Sequence, residues 1–141
     1  MSRVFLDTNI FIYLLEEHSA FGKAVEELIQ RIALRDDQIV TSAMTFGEVL
    51  VKPTSLQDLQ GISLYRNFFS SGTIEVVAFD MKAALSYAEI RQDKFIKAPD
   101  AIQLACAAAS KCDLFVTNDD RLSKKIVPGI QFITSLDRVP I

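Results

Sequence analysis

The chain has 141 residues, of which 50% are hydrophobic, and its 15 basic and 18 acidic residues give a formal charge of −3. No stretch approaches the roughly 20 consecutive apolar residues that a membrane span needs, and the acidic balance excludes a global positive field for binding nucleic acid. We therefore expect one domain over residues 1–141 with a substantial core and no membrane association, so that any contact with nucleic acid is local.

The N-terminal residues enter an apolar run after Arg3, without the basic region and long apolar region of a secretion signal. Cys106 and Cys112 lie in or beside an alanine-rich apolar segment. We interpret them as small buried side chains in a reducing cytosol, with a disulfide or a metal pair as the less favoured alternative. These features predict a cytoplasmic location.

Strand-length apolar runs alternate with longer segments of helical periodicity along the chain. Apolar residues from Ala24 to Ile32 recur on one helical face, and the segments Asn9–Leu15 and Ala101–Ala109 are apolar almost all round. This alternation predicts an α/β fold with a parallel sheet covered by helices on both faces. The predicted strands are Arg3–Leu6, Gln38–Thr41, Ile74–Val77, Leu114–Thr117 and Ile130–Ile133.

Turn and breaker residues fall between these elements. Asp36-Asp37 separates a helix from a strand, Pro128-Gly129 marks a turn, and Pro53 is expected to end a short helix. We expect Pro99 at the first position of a helix, and a further helix over Asp120–Ile126.

Four acidic residues stand where the predicted strands end or the helices begin: Asp7, Glu48, Asp100 and Asp119. Asp7 directly follows the first strand, and Asp119 follows the fourth. The carboxyl ends of parallel strands meet at one edge of a sheet, together with the starts of the helices that follow them, so all four acids can meet there. Such a cluster needs a cation, because two unit charges about 4 Å apart repel by roughly 4 kcal/mol at an effective dielectric near 20.

Each acid also has a plain structural interpretation. Asp7 and Asp119 can cap the helices that follow them, Asp100 can meet a helix dipole, and Glu48 can form a surface pair with Lys52. Glu48 is the most informative of the four because its helix neighbours are apolar, and an acid directed at a cleft fits that setting better than a solvated one.

Four carboxylates with no suitably placed cysteine or histidine select a hard cation, Mg²⁺ or Mn²⁺, rather than zinc. The single histidine, His18, lies in a polar connection and is not expected to be catalytic. Such a site provides hydrolysis of a phosphodiester by water. Thr117 and Asn118 would then orient Asp119 or a bound water, and the alternative for both is an ordinary polar turn at a strand end.

Four segments, in this order and at these spacings, resemble the PIN-domain nucleases, and within them the small VapC-type toxin ribonucleases of toxin–antitoxin modules. The segments are FLDTNIFIYLLE, TFGEVL, APDAIQLACA and FVTNDDRL, and the resemblance covers nearly the whole chain.

The resemblance implies a three-layer α/β/α domain in which Asp7, Glu48, Asp100 and Asp119 bind Mg²⁺ or Mn²⁺ and cleave RNA. It also implies a homodimer and an antitoxin protein that obstructs the site. The TND segment favours Asp119 over its neighbour Asp120 as the metal ligand, which leaves Asp120 beside the site or facing solvent.

Basic residues precede Asp100 and follow Asp119, where they are candidates for contact with RNA phosphates. The alternative for most of them is a solvated helix surface. The six residues are Arg91, Lys94, Lys97, Arg121, Lys124 and Lys125.

Other functions are weighed against a ribonuclease. A phosphotransferase of the haloacid-dehalogenase type would place a second Asp where Asn9 stands, and a phosphoacceptor receiver would need Asp58 at a strand end, whereas it lies in a polar helical segment. A catalytically silent PIN-like binding scaffold and a housekeeping RNA-processing nuclease both stay open.

Overall fold

The computed structural model describes all of residues 1–141. Five strands form one sheet in the order β3-β2-β1-β4-β5, and every neighbouring pair is parallel. The predicted α/β fold with a parallel sheet is confirmed. The strands are β1 (Arg3–Leu6), β2 (Gln38–Ser42), β3 (Ile74–Val77), β4 (Leu114–Val116) and β5 (Phe132–Thr134).

Helices cover both faces of the sheet and make the fold a three-layer α/β/α arrangement. None of them has the length and apolarity needed to cross a membrane. They are α1 (Thr8–Leu15), α2 (Gly22–Leu34), α3 (Ala43–Ser55), α4 (Leu59–Phe69), α5 (Met81–Ile90), α6 (Ala98–Ala109) and α7 (Asp120–Ser123), followed by a 3₁₀ turn at Leu136–Arg138.

The alternation of side chains along the strands divides the core into two halves. Val4 and Leu6 of β1 point into the half covered by α1 to α4, where Phe11 and Phe69 also pack. Phe5 points into the other half, where its ring stacks on Phe115 at 5.1 Å between centroids and packs beneath α6. Buried apolar layers on both faces explain why the strands read as continuous apolar runs.

Two predictions about helix boundaries are wrong. Pro53 does not end α3, because Leu56 N–H still donates to Lys52 O at 3.0 Å and the helix continues to Ser55. The proline ring is buried, and it removes only one hydrogen bond near a helix end, so the cost of the missing donor is limited. Pro99 takes the second helical position rather than the first, because Ala98 opens α6 behind the cap residue Lys97.

The C-terminal elements are also shorter than predicted. α7 ends at Ser123 instead of Ile126, and β5 begins at Phe132 instead of Ile130. Ile130 donates its N–H to Val127 O at 3.2 Å within a turn, and its side chain is buried there. An isoleucine that packs the core from a turn has the same apolar signature as a strand residue.

Candidate active site

A cavity of about 240 Å³ opens at the carboxyl edge of the sheet, and three of the four predicted acids line it. Asp7 reaches it from the end of β1, Glu48 from α3 and Asp100 from the first turn of α6. Asn9 and Gln103 complete its polar wall. The sheet edge therefore brings these three carboxylates together, as the parallel topology predicts.

Asp7 is both the N-cap of α1 and the most buried of the acids, with 7% of its surface exposed. Its Oδ1 accepts the Thr8 N–H at 2.8 Å, and its Oδ2 accepts the Thr117 hydroxyl at 2.8 Å. Burial outweighs these two bonds and, with smaller contributions from the charges of Asp100 and Glu48, raises the pKa of Asp7 to about 6. Asp7 therefore does cap α1. Burial of its charged carboxylate also costs free energy, which these two hydrogen bonds do not fully compensate.

Glu48 projects from α3 towards the same cavity. Its Oε1 accepts the hydroxyl of Thr8 at 2.7 Å, so Thr8 links Glu48 to the segment that holds Asp7. The surface pair with Lys52 is not formed, because Lys52 instead contacts Glu16 at 2.8 Å. The apolar neighbours of Glu48 in the sequence did indicate an acid directed at a cleft.

Asp100 is half-buried near the N-terminus of α6. Burial is the main reason that its pKa is raised, and the negative charge of Asp119 is the next largest. The positive charges of Arg121 and Lys97 lower the pKa of Asp100 and so partly offset these effects. Asp100 and Asp119 are therefore close enough to repel each other, although they do not line one cavity.

Asp119 lies at the border of the site and is engaged by Arg121. The guanidinium of Arg121 donates to Asp119 Oδ2 at 2.9 Å and to Oδ1 at 3.2 Å, and this contact lowers the pKa of Asp119. Asp119 also caps α7 through the Arg121 N–H. Asp120 is exposed and lines a separate cavity of about 730 Å³ with Ser123 and residues of β5.

Thr117 and Asn118 hold other groups than expected. The Thr117 hydroxyl is fully buried and donates to Asp7, while Asp119 contributes only its N–H to it, at 3.1 Å. The Asn118 amide donates to the Tyr13 hydroxyl at 3.1 Å instead of contacting the Asp119 carboxylate. Thr117 is therefore a support for Asp7, and Asn118 fastens the end of β4 to α1.

A buried glutamine beneath the cavity was missed from the sequence. Gln103 is 2% exposed, and its amide nitrogen lies 2.7 Å from Thr45 Oγ1, 3.0 Å from Thr8 Oγ1 and 3.4 Å from Asp7 Oδ1. Its carbonyl oxygen accepts the hydroxyl of Ser42. The available signal was that Gln103 is the one polar residue in the apolar segment Ala101–Ala109 and lies three positions after Asp100, on the same helix face.

A second, basic cleft of about 580 Å³ lies beside the acids. Five of the six predicted basic residues line it, together with one aromatic ring that sequence reasoning missed. Arg91 does not, because its guanidinium lies 6.0 Å from the centroid of the Tyr87 ring on α5. We call this surface the basic cleft; it is formed by Lys94, Phe95, Lys97, Arg121, Lys124 and Lys125.

The acidic cavity has the donor chemistry of a hard-cation site. The carboxylates of Asp7, Glu48 and Asp100 and the carboxamide of Asn9 provide oxygen donors, and neither thiol nor imidazole lines the cavity. Burial is the main reason that the pKa values of Asp7 and Asp100 are raised, and the negative charges of neighbouring acids, which a cation would neutralise, add to it. In this arrangement no three acidic side chains lie close enough together to coordinate one ion. The carboxylate of Asp119 contacts Arg121 instead.

Comparison with solved structures gives the same fold. VapBC2 from Rickettsia felis, bound to a promoter DNA fragment, superposes with a TM-score of 0.76 at 19% identity over 94% of this chain and 98% of that chain. DNA-bound VapBC from Salmonella typhimurium gives 0.75 at 22% identity over 96% and 99%. The sarcin-ricin loop cleaving toxin VapC20 from Mycobacterium tuberculosis gives 0.64 at 15% identity over 87% and 96%.

Comparison with curated protein sequences gave no match. The family model of the PIN domain, in contrast, matches residues 4–126, which include all four predicted acids and, apart from Arg3 of β1, the first four of the five strands. The predicted resemblance to PIN domains is confirmed by this match and by the parallel sheet order. The chain belongs to the PIN-domain family.

Proposed function

We propose that this PIN domain, taken as one unit over residues 1–141, is an endoribonuclease that depends on Mg²⁺ or Mn²⁺ and hydrolyses RNA phosphodiester bonds. The observation that carries the proposal is the convergence of Asp7, Glu48 and Asp100 on one cavity at the carboxyl edge of the sheet. A purely structural role would not bury a carboxylate beside two others, because burial, with a smaller contribution from the charges of Asp100 and Glu48, raises the pKa of Asp7 and so disfavours its charged form.

Asp7, Glu48 and Asp100 would hold the ion, with Asp119 as the fourth ligand. When bound, Mg²⁺ or Mn²⁺ supplies charge stabilisation on phosphodiester oxygens and lowers the pKa of water. The chain itself supplies orientation. Thr117 and the Thr8 N–H fix the Asp7 carboxylate, and the Thr8 hydroxyl fixes Glu48. These donors restrict the acids before any ligand arrives, which is what a preorganised site requires.

The basic residues would contribute phosphate contacts. Lys94, Lys97, Arg121 and Lys124 are exposed and line the basic cleft next to the acids, which supports their assignment to RNA binding. Arg91 does not line this cleft, so we assign it no phosphate contact. Asp120 is exposed and lines another cavity, which favours Asp119 as the acid nearer to the ion.

The biological setting we propose is that of a toxin. The similar solved structures include VapBC assemblies, a toxin–antitoxin complex and a member of the VapBC family of toxin–antitoxin systems. By analogy, this chain would act in the cytoplasm, pair with a second copy of itself, and be silenced by a cognate antitoxin encoded next to it. Co-purification of the neighbouring gene product with this chain, together with loss of cleavage in the complex, would support this role.

The activity is tested with purified protein and a fluorescently labelled single-stranded RNA. We expect cleavage with Mg²⁺ or Mn²⁺, no cleavage in EDTA, and no cleavage by Asp7→Asn or Asp100→Asn. Asp120→Asn is the matched control and should keep its activity. Cleavage that continues in EDTA, or a fully active Asp7→Asn variant, would contradict the proposal.

Two other outcomes identify the alternatives. A protein that binds Mg²⁺ and a partner protein but cleaves no RNA would be a silent binding scaffold. Cleavage that no neighbouring gene product inhibits, and that expression of the protein in cells tolerates, would indicate a housekeeping RNA-processing nuclease.

A further inference from the structure

Phe95 presents its ring to solvent next to the candidate active site. It is 87% exposed, compared with 56% for Phe132, 45% for Phe79 and 37% for Phe21. A single exposed apolar side chain is ordinary on a protein surface. The surroundings of Phe95 are unusual for such a side chain, because the five other residues of the basic cleft are all lysine or arginine.

The ring is carried on an anchored loop between α5 and α6. The Asp93 carboxylate accepts the Phe95 N–H at 3.0 Å and the ammonium of Lys125 at 2.9 Å, and the side chain of Ile96 is buried in the core. The Lys125 ammonium also lies 5.5 Å from the centroid of the Phe95 ring. The backbone of the loop is thus anchored on both sides of Phe95, while its ring stays uncovered.

The charge of the cleft is opposite to that of the whole chain. Five cationic side chains line it, although the chain has a formal charge of −3. Lys97 and Arg121 connect the cleft to the acids: Arg121 contacts Asp119 directly, and both lower the pKa of Asp100. A polyanion in the cleft would therefore extend to the acidic cavity.

We propose that the basic cleft seats a single-stranded segment of RNA and that Phe95 stacks on one of its bases, an inference that rests on the proposed ribonuclease function. Phosphates satisfy the lysines, and the flat face of an unpaired base covers the ring. In a duplex the base faces are stacked on one another, so none is available to stack on the Phe95 ring. An acidic peptide would satisfy the cations but leave the ring in water, and an apolar partner would bury Lys94, Lys97 and Lys124 without counter-charges.

The absence of tryptophan from the chain provides a direct test. Phe95→Trp, made in the Asp7→Asn background and studied in EDTA so that the RNA stays intact, gives one indole at the proposed stacking position. Titration with an eight-nucleotide single-stranded RNA should quench its fluorescence, and a fully paired duplex without a loop should not. Leu34→Trp is the matched control, because Leu34 is 88% exposed on α2, outside the cleft, and should report no quenching.

Binding affinity gives a second readout. Phe95→Ala should weaken binding of the single strand by about 5-fold to 150-fold, the usual effect of losing one stacked base, whereas Leu34→Ala should not. Lys124→Ala should reduce the slope of log K against log salt by about 0.7, as expected for one phosphate contact on a single strand. Unchanged affinity of Phe95→Ala, or equal quenching by duplex RNA or polyglutamate, would overturn the inference.

Failure of this inference is distinguishable from failure of the proposed function. Quenching and affinity are measured without metal on an inactive variant, so they do not depend on cleavage. An active nuclease whose Phe95→Ala variant binds RNA normally overturns the stacking role alone. A protein that binds single strands through Phe95 but never cleaves them overturns the ribonuclease assignment alone.

Discussion

Replacing Asp7 by asparagine is expected to stabilise the metal-free protein at neutral pH. The pKa of Asp7 is about 6 in the folded chain against an ordinary value of 3.8, chiefly because burial disfavours the charged carboxylate. A difference of this size corresponds to about 3 kcal/mol of lost stability once the group is ionised in both states. Asp7→Asn removes the charge and therefore this penalty.

Part of the gain is offset by a lost hydrogen bond. The asparagine oxygen can accept the Thr8 N–H, as Asp7 Oδ1 does at 2.8 Å, but its amide then faces Thr117 Oγ1. That hydroxyl already accepts from the Asp119 N–H and the Asn9 amide. The conflict costs about 1 kcal/mol, which leaves a net stabilisation of about 2 kcal/mol at pH 7.5.

The pH dependence has a definite sign. Below about pH 3.8 the carboxyl of Asp7 is protonated in the folded and the unfolded chain, so the penalty is absent; it develops as the pH rises and is complete above about pH 6. Wild-type stability therefore falls relative to Asp7→Asn across this window. At pH 4 the ionisation of the unfolded chain already produces about 0.5 kcal/mol of the penalty. The lost hydrogen bond still outweighs it, and the variant should be less stable by about 0.5 kcal/mol.

Urea denaturation followed by circular dichroism, in EDTA at several pH values from 4 to 7.5, measures both effects. Glu27→Gln on the exposed face of α2 is a matched control that neutralises an acid without a burial penalty, and its effect should stay within about 0.5 kcal/mol at every pH. The reasoning is refuted if Asp7→Asn is destabilised at pH 7.5, or if its difference from wild type is constant across the window.

Three further predictions follow from other parts of the structure. Mg²⁺ at 100 times its dissociation constant should stabilise the wild type by about 2.7 kcal/mol and leave Asp7→Asn nearly unchanged in thermal melts; equal shifts would place the ion elsewhere. Gln103→Leu should lower the free energy of unfolding in urea by about 1–3 kcal/mol, because buried hydroxyls lose their partner, and a more stable variant would contradict this. Burial raises the thiol pKa to about 11 for Cys106 and about 12 for Cys112. Both thiols should therefore react with a disulfide reagent at pH 8 only in the presence of denaturant. Rapid reaction of the native protein would show that they are accessible.

The fold was predictable because the apolar pattern reflects burial directly. A strand buried on both faces is apolar along nearly its whole length, so the run at β1 coincides with the predicted range. The range of β3 coincides as well, although Glu75 and Val76 of this edge strand are exposed. The same rule misplaced the start of β5, because Ile130 is buried from a turn. The prediction that Pro53 ends α3 was wrong for a different reason. The effect of a proline on a helix depends on how its ring packs and on its distance from the helix end.

The site was predictable at the level of position and less so at the level of side-chain contacts. Topology alone places Asp7, Glu48 and Asp100 at one edge, since a parallel sheet has all its carboxyl ends there. Gln103 was missed because a polar residue in an apolar helix gains its role from partners on other elements. Phe95 was missed because exposure of an aromatic ring is a property of the folded surface and leaves no mark in the local sequence.

Arg121 connects the two halves of the site. It holds the Asp119 carboxylate with two guanidinium contacts, yet it also lines the basic cleft, where RNA phosphates would compete for the same donors. The pair is accessible, with 70% of the Arg121 side chain and 23% of the Asp119 side chain exposed, so its net contribution to stability is about 0–1 kcal/mol. A contact this weak is readily exchanged.

A phosphate that binds Arg121 releases the Asp119 carboxylate from its ion pair. Because Asp119 and Asp100 repel each other, the released carboxylate is then stabilised most by a cation between the two acids. Binding of the RNA backbone and binding of the cation should therefore reinforce each other, with Arg121 as the residue that couples them.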